Sequence, residues 1–191
     1  MQEMFDVPSP NFYGRSGTPV DVVLLHHTGP GSESGHLSWL RNPKPCDATG
    51  KRVSRVSAHY LVGTTGKVWR LVDETNAALH AGLGLLPWEK GETYNFNLRS
   101  IGIHVVNPGD GVTPFTEAQY LALERLVSAI ARRLEWDCVT FLYGYTINLI
   151  PGRRGRRGYI LGHRDIAPGR KTGPADNFNW QRIKRALGSG A

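Results

Sequence analysis

His26 ends the apolar run Val22-Val23-Leu24-Leu25, and His163 ends a second one, Tyr159-Ile160-Leu161-Gly162. A short apolar run bounded by Gly and Pro reads as a buried strand. Two imidazoles at the ends of two such strands can converge on one metal ion, and Asp176, a few residues past His163, offers a carboxylate. Two His and one carboxylate, with a fourth position left to water, form the ligand set of a hydrolytic zinc site. On residue types alone the chain reads as a zinc hydrolase. A lone strand-end His is more often structural. The balance reverses here because His26, His163 and Asp176 all fall at strand ends or in loops. His26 and His27 are adjacent, so on a strand they point to opposite faces and only one enters a given site.

The elements that must position these groups follow from pattern. Residues 1–19 contain Pro8, Pro10, Gly14, Gly17 and Pro19, an irregular arm ahead of a domain spanning 20–187. Ser34 is expected to cap a short helix carrying Leu37, Trp39 and Leu40. Ser57–Val62 and Val68–Val72, joined through Thr65-Gly66, predict a β-hairpin. The stretch 77–98 has little periodicity and reads as a long loop. Ile101–Val106 is another strand, ended by Asn107-Pro108-Gly109. Thr116 and Gln119 form a capping-box pair opening a helix to about Leu134, whose apolar face is Leu123, Leu126, Val127, Ile130 and Leu134. Trp180–Leu187 is a short basic helix. Strands mixed with helices predict an α/β fold: a single domain with a mixed β-sheet flanked by helices.

Composition narrows the functions. At 191 residues and 40% hydrophobic content, the chain can bury a full core. No run of about 18 apolar residues occurs, so no membrane insertion is expected. The start, Met1–Asp6, lacks a basic n-region and an apolar h-region, so a protein made in the cytoplasm without a signal peptide is expected. Cys46 and Cys138 stand far apart, in no metal-binding spacing, and are expected to be free. The net charge of +7 favours an acidic polymer as partner. Much of it lies in Arg153-Arg154-Gly155-Arg156-Arg157, without interleaved aromatics or a following recognition-helix pattern. No specific nucleic-acid partner is expected.

Five motifs, in order, carry a resemblance: His26-His27-Thr28-Gly29, Val56–Tyr60, Leu79-His80-Ala81-Gly82, Asn97–Ile103 and Gly162–Thr172. Together with Ser9-Pro10-Asn11-Phe12, they make roughly residues 9–180 similar to the zinc-dependent N-acetylmuramoyl-L-alanine amidases. That family includes phage lysis amidases, bacterial muropeptide amidases and peptidoglycan-recognition proteins. The resemblance implies that family's fold, one Zn2+, and His26 and His163 as ligands. It places Lys171 beside the scissile bond, where an ammonium stabilises the developing oxyanion. It also makes His80 and Asn97 candidates for contact with substrate; His59, inside a strand beside Tyr60, reads as a supporting or core residue.

The chain departs from the family pattern at two positions. Where the bacterial branch has an Asp directly after Lys-Thr, this chain has Gly173, and Asp176 is taken as the re-registered ligand with Asp165 as the fallback. Where that branch has a Glu that handles the proton of the attacking water, this chain has His104. An imidazole can take that role, since its unperturbed pKa is about 6.5. It can also become an extra ligand or bind substrate.

The expected function is hydrolysis of the amide joining N-acetylmuramic acid to L-alanine, in peptidoglycan or muropeptides, by a monomer in an endolysin-like lytic role. The rivals are a cytosolic recycling amidase and a peptidoglycan-binding module without turnover.

Overall fold

Val22, Val23, Leu24 and Leu25 are fully buried because both faces of the strand they form are covered. The structure, a computed structural model, describes residues 4–86, 88, 92–142, 145–150 and 155–188. That strand, β3 (Val22–His27), lies near the middle of an eight-stranded sheet. The chain order is β1 (Met4–Asp6), β2 (Phe12–Gly14), β3, α1 (Glu33–Arg41), β4 (Tyr60–Val62), β5 (Val68–Arg70), β6 (Asn76–Ala78), β7 (Leu83–Leu85) and β8 (Thr93–Asn95). It continues with α2 (Phe96–Arg99), β9 (Ser100–Val105), α3 (Glu117–Arg133), β10 (Cys138–Phe141), β11 (Thr146–Asn148), β12 (Arg157–Gly162), α4 (His163–Ile166) and α5 (Trp180–Gly188). The main sheet runs β1-β5-β4-β9-β3-β12-β10-β11. Its five central strands, β4 to β10 in that order, are parallel, while β5 and β11 pair antiparallel with their inner neighbours.

The period of two along β3 and β9 sorts the side chains into two layers. Val23, Leu25, Ile101 and Ile103 pack beneath Leu123, Val127 and Ile130 of α3 and Ile183 of α5. Val22 and Leu24 face the other way, onto Leu86, Phe96, Leu161 and Ile166. His26 therefore belongs to the second layer and His27 to the first. The mixed sheet with flanking helices agrees with the fold class read from sequence, as do β3, β9, β12, the β4–β5 hairpin, α3 and α5. Gln119 N–H donates to Thr116 Oγ1 (3.1 Å) and Thr116 N–H to Gln119 Oε1 (2.9 Å), which completes the capping box.

Other expectations need correction. The N-terminal arm is not wholly irregular, since β1 pairs with β5 and β2 with β6. Asp6 and Arg70 lock that edge with two bonds of 2.7 and 2.9 Å. The stretch 77–98 holds β6, the β7–β8 pair and α2 rather than a plain loop. These strands are three residues long, too short to show a period; β6 pairs with the distant β2, and β7 with β8. Helix α1 is capped by Ser32, whose Oγ accepts from Gly35 N–H, and not by Ser34. Arg153 and Arg154 lie outside the described residues. Cys46 and Cys138 are free thiols. No helix among the described residues is long and apolar enough to cross a membrane.

Candidate active site

The ends of β3, β9 and β12 bring His26, His104 and His163 together at the carboxyl edge of the parallel strands, where open α/β sheets characteristically hold their ligands, and the segment after β6 adds His80. His26 and His104 are register partners on adjacent parallel strands, so their side chains leave the sheet on the same face. Their rings stack with centroids 4.5 Å apart at 20°. His163, directly after β12, sets its ring 4.4 Å from that of His26 at 70°. His80 stands edge-on to His26 at 5.1 Å. Gly102 makes this approach possible, because a Cβ there would lie 2.4 Å from His80 Nδ1. The four rings border a cleft of about 380 Å3 that also takes in His36, Trp39 and Lys171. A hollow of about 590 Å3 between α3 and α5 shares no residue with this cleft and gathers no such cluster.

A chain of hydrogen bonds fixes which nitrogens carry protons. The Ser100 hydroxyl donates its one proton to the Phe96 carbonyl. It must then accept from His80 Nε2–H, 3.2 Å away. His80 Nδ1, left without a proton, accepts from His26 Nε2–H at 3.0 Å. His26 Nδ1 consequently keeps a free lone pair. The nearby Ala81 backbone favours the protonated form of His163, while its Nε2 is buried without a partner. In its neutral form His163 can carry its one proton on Nδ1 and leave Nε2 as an acceptor. His104 Nε2 is likewise buried and without a partner.

Burial, and after it mutual repulsion and Lys171, hold these rings neutral. His26 is pushed well below the ordinary imidazole range by burial and then by His104, His163 and His80. Burial and then His163 take His104 to about 3. Burial and then Lys171 take His163 to about 4. Neutral imidazoles with open lone pairs are the form that binds a divalent metal. The donor chemistry thus fits zinc. Among the described residues, no three His, Cys, Asp or Glu side chains already stand around one point in the way a bound ion requires.

The loop after His163 is tied on both sides of Lys171. Arg170 donates to the Leu83 carbonyl at 2.8 Å. His27 Nδ1 accepts from Gly29 N–H, so its Nε2–H donates to Thr172 Oγ1 at 2.9 Å. His27 thus faces away from His26 and pins the loop, and Lys171 is close enough to depress His26, His104 and His163 together.

The structure brings His26, His163, His104, His80 and Lys171 to one cleft and leaves two expected residues out of it. Asp176 does not join the histidines: its side chain is 87% exposed and pairs with Arg164. The buried Ala175 and Phe178 anchor the segment in the core, with Phe178 against Phe115, Tyr120 and Trp180. Asp176, between these anchors, is turned to solvent. Asn97 is occupied as well. Its Oδ1 accepts from the backbone N–H groups of His80, Ala81 and Gly82 at 3.0, 2.8 and 3.0 Å, so it shapes the turn that presents His80. Asp165 caps α4, accepting from Gly162 N–H at 2.7 Å. His59 is a buried supporting residue, bonded to Gly102 N–H through Nδ1 and to the Asn76 carbonyl through Nε2. Sequence reasoning missed His36, whose Nε2 is buried and unpartnered at the cleft. No local pattern marks it, because α1 reaches the cleft only by tertiary packing.

Comparison with known proteins agrees with this architecture. The family profile described as N-acetylmuramoyl-L-alanine amidase matches residues 16–176. The 1,6-anhydro-N-acetylmuramyl-L-alanine amidase AmpD of Haemophilus influenzae is 30% identical over 128 residues, covering 67% of this chain and 56% of that protein. The N-acetylmuramoyl-L-alanine amidase AmiD of Escherichia coli is 35% identical over 178 residues, covering 86% of this chain and 52% of its own length. The chain therefore spans little more than half the length of these relatives. Among solved structures, a selenomethionine AmpD derivative superposes with a TM-score of 0.71 at 25% identity, covering 97% of this chain and 95% of that one. Escherichia coli AmiD in complex with anhydro-N-acetylmuramic acid-L-Ala-D-γ-Glu-L-Lys superposes with a TM-score of 0.62 at 26% identity, covering 94% and 60%. With the profile running from Arg15's neighbour Ser16 through the whole histidine cleft to Asp176, this chain belongs to the N-acetylmuramoyl-L-alanine amidase family.

Proposed function

We propose that this chain hydrolyses the amide between the lactyl group of N-acetylmuramic acid and the L-alanine of the stem peptide, with zinc held by His26 and His163. The observation that carries this reading is the cleft itself: buried, unpartnered imidazole nitrogens lining one space, with Lys171 beside them. Zinc in such a site supplies Lewis acidity, activating water near neutral pH and polarising the amide carbonyl. Lys171 is the catalytic residue of the chain itself. Its ammonium would offset the negative charge that develops on the carbonyl oxygen, and the bonds made by Arg170 and Thr172 hold its backbone beside the histidines. His80 and Ser100 hold the tautomer of His26, a supporting arrangement that raises the basicity of a ligating imidazole. The net charge of +7 favours an acidic wall polymer over a neutral one.

Mass spectrometry of products from intact sacculi, run beside soluble anhydro-muropeptides, tests the reading and separates a lytic from a recycling role. Free stem peptide beginning with L-alanine is the expected product. Binding to sacculi without any peptide release would instead establish a wall-binding module. Lys171→Met is expected to lower kcat by about 10²–10³, the scale for loss of one oxyanion-stabilising donor, while leaving metal content unchanged. An unchanged kcat would remove Lys171 from the chemistry.

A further inference from the structure

We propose that the metal in this cleft is held by three imidazoles, His26, His104 and His163, and that no carboxylate takes part. This deepens the amidase reading and rests on it. The three rings packed together at the strand ends each offer a nitrogen. His26 Nδ1 is freed by the relay from His80 through Ser100 to the Phe96 carbonyl. The Nε2 atoms of His104 and His163 are buried with no hydrogen-bond partner. Buried polar nitrogens in a folded protein nearly always have partners; of the three orphans bordering this cleft, on His36, His104 and His163, the two whose rings pack against His26 point to an occupant shared with it.

The carboxylate alternative has no residue to supply it. No Asp or Glu among the described residues lines the cleft. Gly173 has no side chain, and a Cβ at that position would crowd His27 N at 3.1 Å and His26 Cα at 3.3 Å. Asp176 is exposed and paired with Arg164. His104, by contrast, is the in-register neighbour of His26 and leaves the sheet on the same face. Its ring lies nearly parallel to that of His26, so a shared ion requires one of the two to turn. His104 turns without breaking a hydrogen bond at Nε2, whereas His26 is held by His80. Three neutral imidazoles with one open position are an established hydrolytic zinc set. Because none of the three carries charge, the ion keeps its full dipositive charge beside Lys171. The base role that the sequence suggests for His104 is then displaced by its ligand role, since ligation uses the lone pair a base needs.

The test is zinc binding by the full chain, read by metal analysis after gel filtration, by competition with a chromophoric chelator, and by the visible spectrum after cobalt(II) substitution. Wild type should bind about one zinc per chain, the stoichiometry of a single site. His104→Ala should weaken zinc binding by at least about 100-fold, change the cobalt spectrum and abolish the zinc-induced rise in Tm. Its Tm in EDTA should match that of wild type, which separates ligand loss from misfolding. Asp176→Ala should bind zinc as wild type does. Zinc affinity and spectrum unchanged in His104→Ala, or lost in Asp176→Ala, would overturn the three-imidazole set while leaving the amidase reading intact. Failure of wild type to bind zinc would overturn both.

Discussion

Asn97→Ala separates a residue that touches substrate from one that builds the site. In the structure one side-chain oxygen serves three backbone donors, on His80, Ala81 and Gly82, at 2.8–3.0 Å. Alanine leaves all three without that acceptor. The His80 N–H is buried and cannot be hydrated, whereas those of Ala81 and Gly82 lie nearer solvent. An amide oxygen has only two lone pairs, so the three bonds share acceptor capacity and do not add in full. Taking the cost of one stranded donor plus two partly compensated ones gives a destabilisation of about 2–4 kcal/mol. At about 2–4 °C per kcal/mol for a domain of this size, Tm should fall by about 4–16 °C. Asn97→Asp keeps an acceptor at the same place and should recover most of the loss. Thermal unfolding followed by circular dichroism, with KM measured on a soluble muropeptide, reads both quantities. A raised KM with wild-type Tm in Asn97→Ala would refute the reasoning and return Asn97 to the substrate surface.

Two further outcomes follow from the same packing. His59 is held down to about 3, by burial and then by Arg15, whereas in the unfolded chain its pKa is about 6.5. The unfolded state therefore binds more protons over that window, and stability should fall as pH drops from about 6.5 towards 3. His59→Gln should show a smaller loss of urea-unfolding free energy between pH 7 and 5 than wild type, and identical slopes would exclude the explanation. Gly158 lies under the buried ring of Trp136, where a Cβ would come within 2.0 Å. Gly158→Ala should cost about 1–3 kcal/mol through overpacking, with zinc content unchanged. A wild-type Tm would show that the ring moves aside freely.

The sequence by itself determined the main strands, the long helix and the identity of the principal chemical groups. Val22–Leu25 and Tyr159–Gly162 are apolar on successive residues, and Ile101–Val105 is interrupted only by His104, because both sheet faces are covered, and that pattern is local. Helix α3 was equally legible, since its capping box and apolar stripe depend on residues three and four apart. His26 and His163 stood out because each ends such a strand. What only the tertiary structure decided is which groups share a space. Asp176 carries ligand chemistry, but Phe178 and Ala175 anchor its loop so that it meets Arg164 and solvent. Asn97 resembles a substrate contact, yet three backbone donors from a segment fifteen to seventeen residues away claim its oxygen. His36 carries no local signal and reaches the cleft through the packing of α1. The roles of these residues depend on contacts between distant segments, and one strand's spacing contains no information about which other strand lies beside it. His104 combines both kinds of information: its type was visible in the sequence, and its place opposite His26 came from the register of two parallel strands.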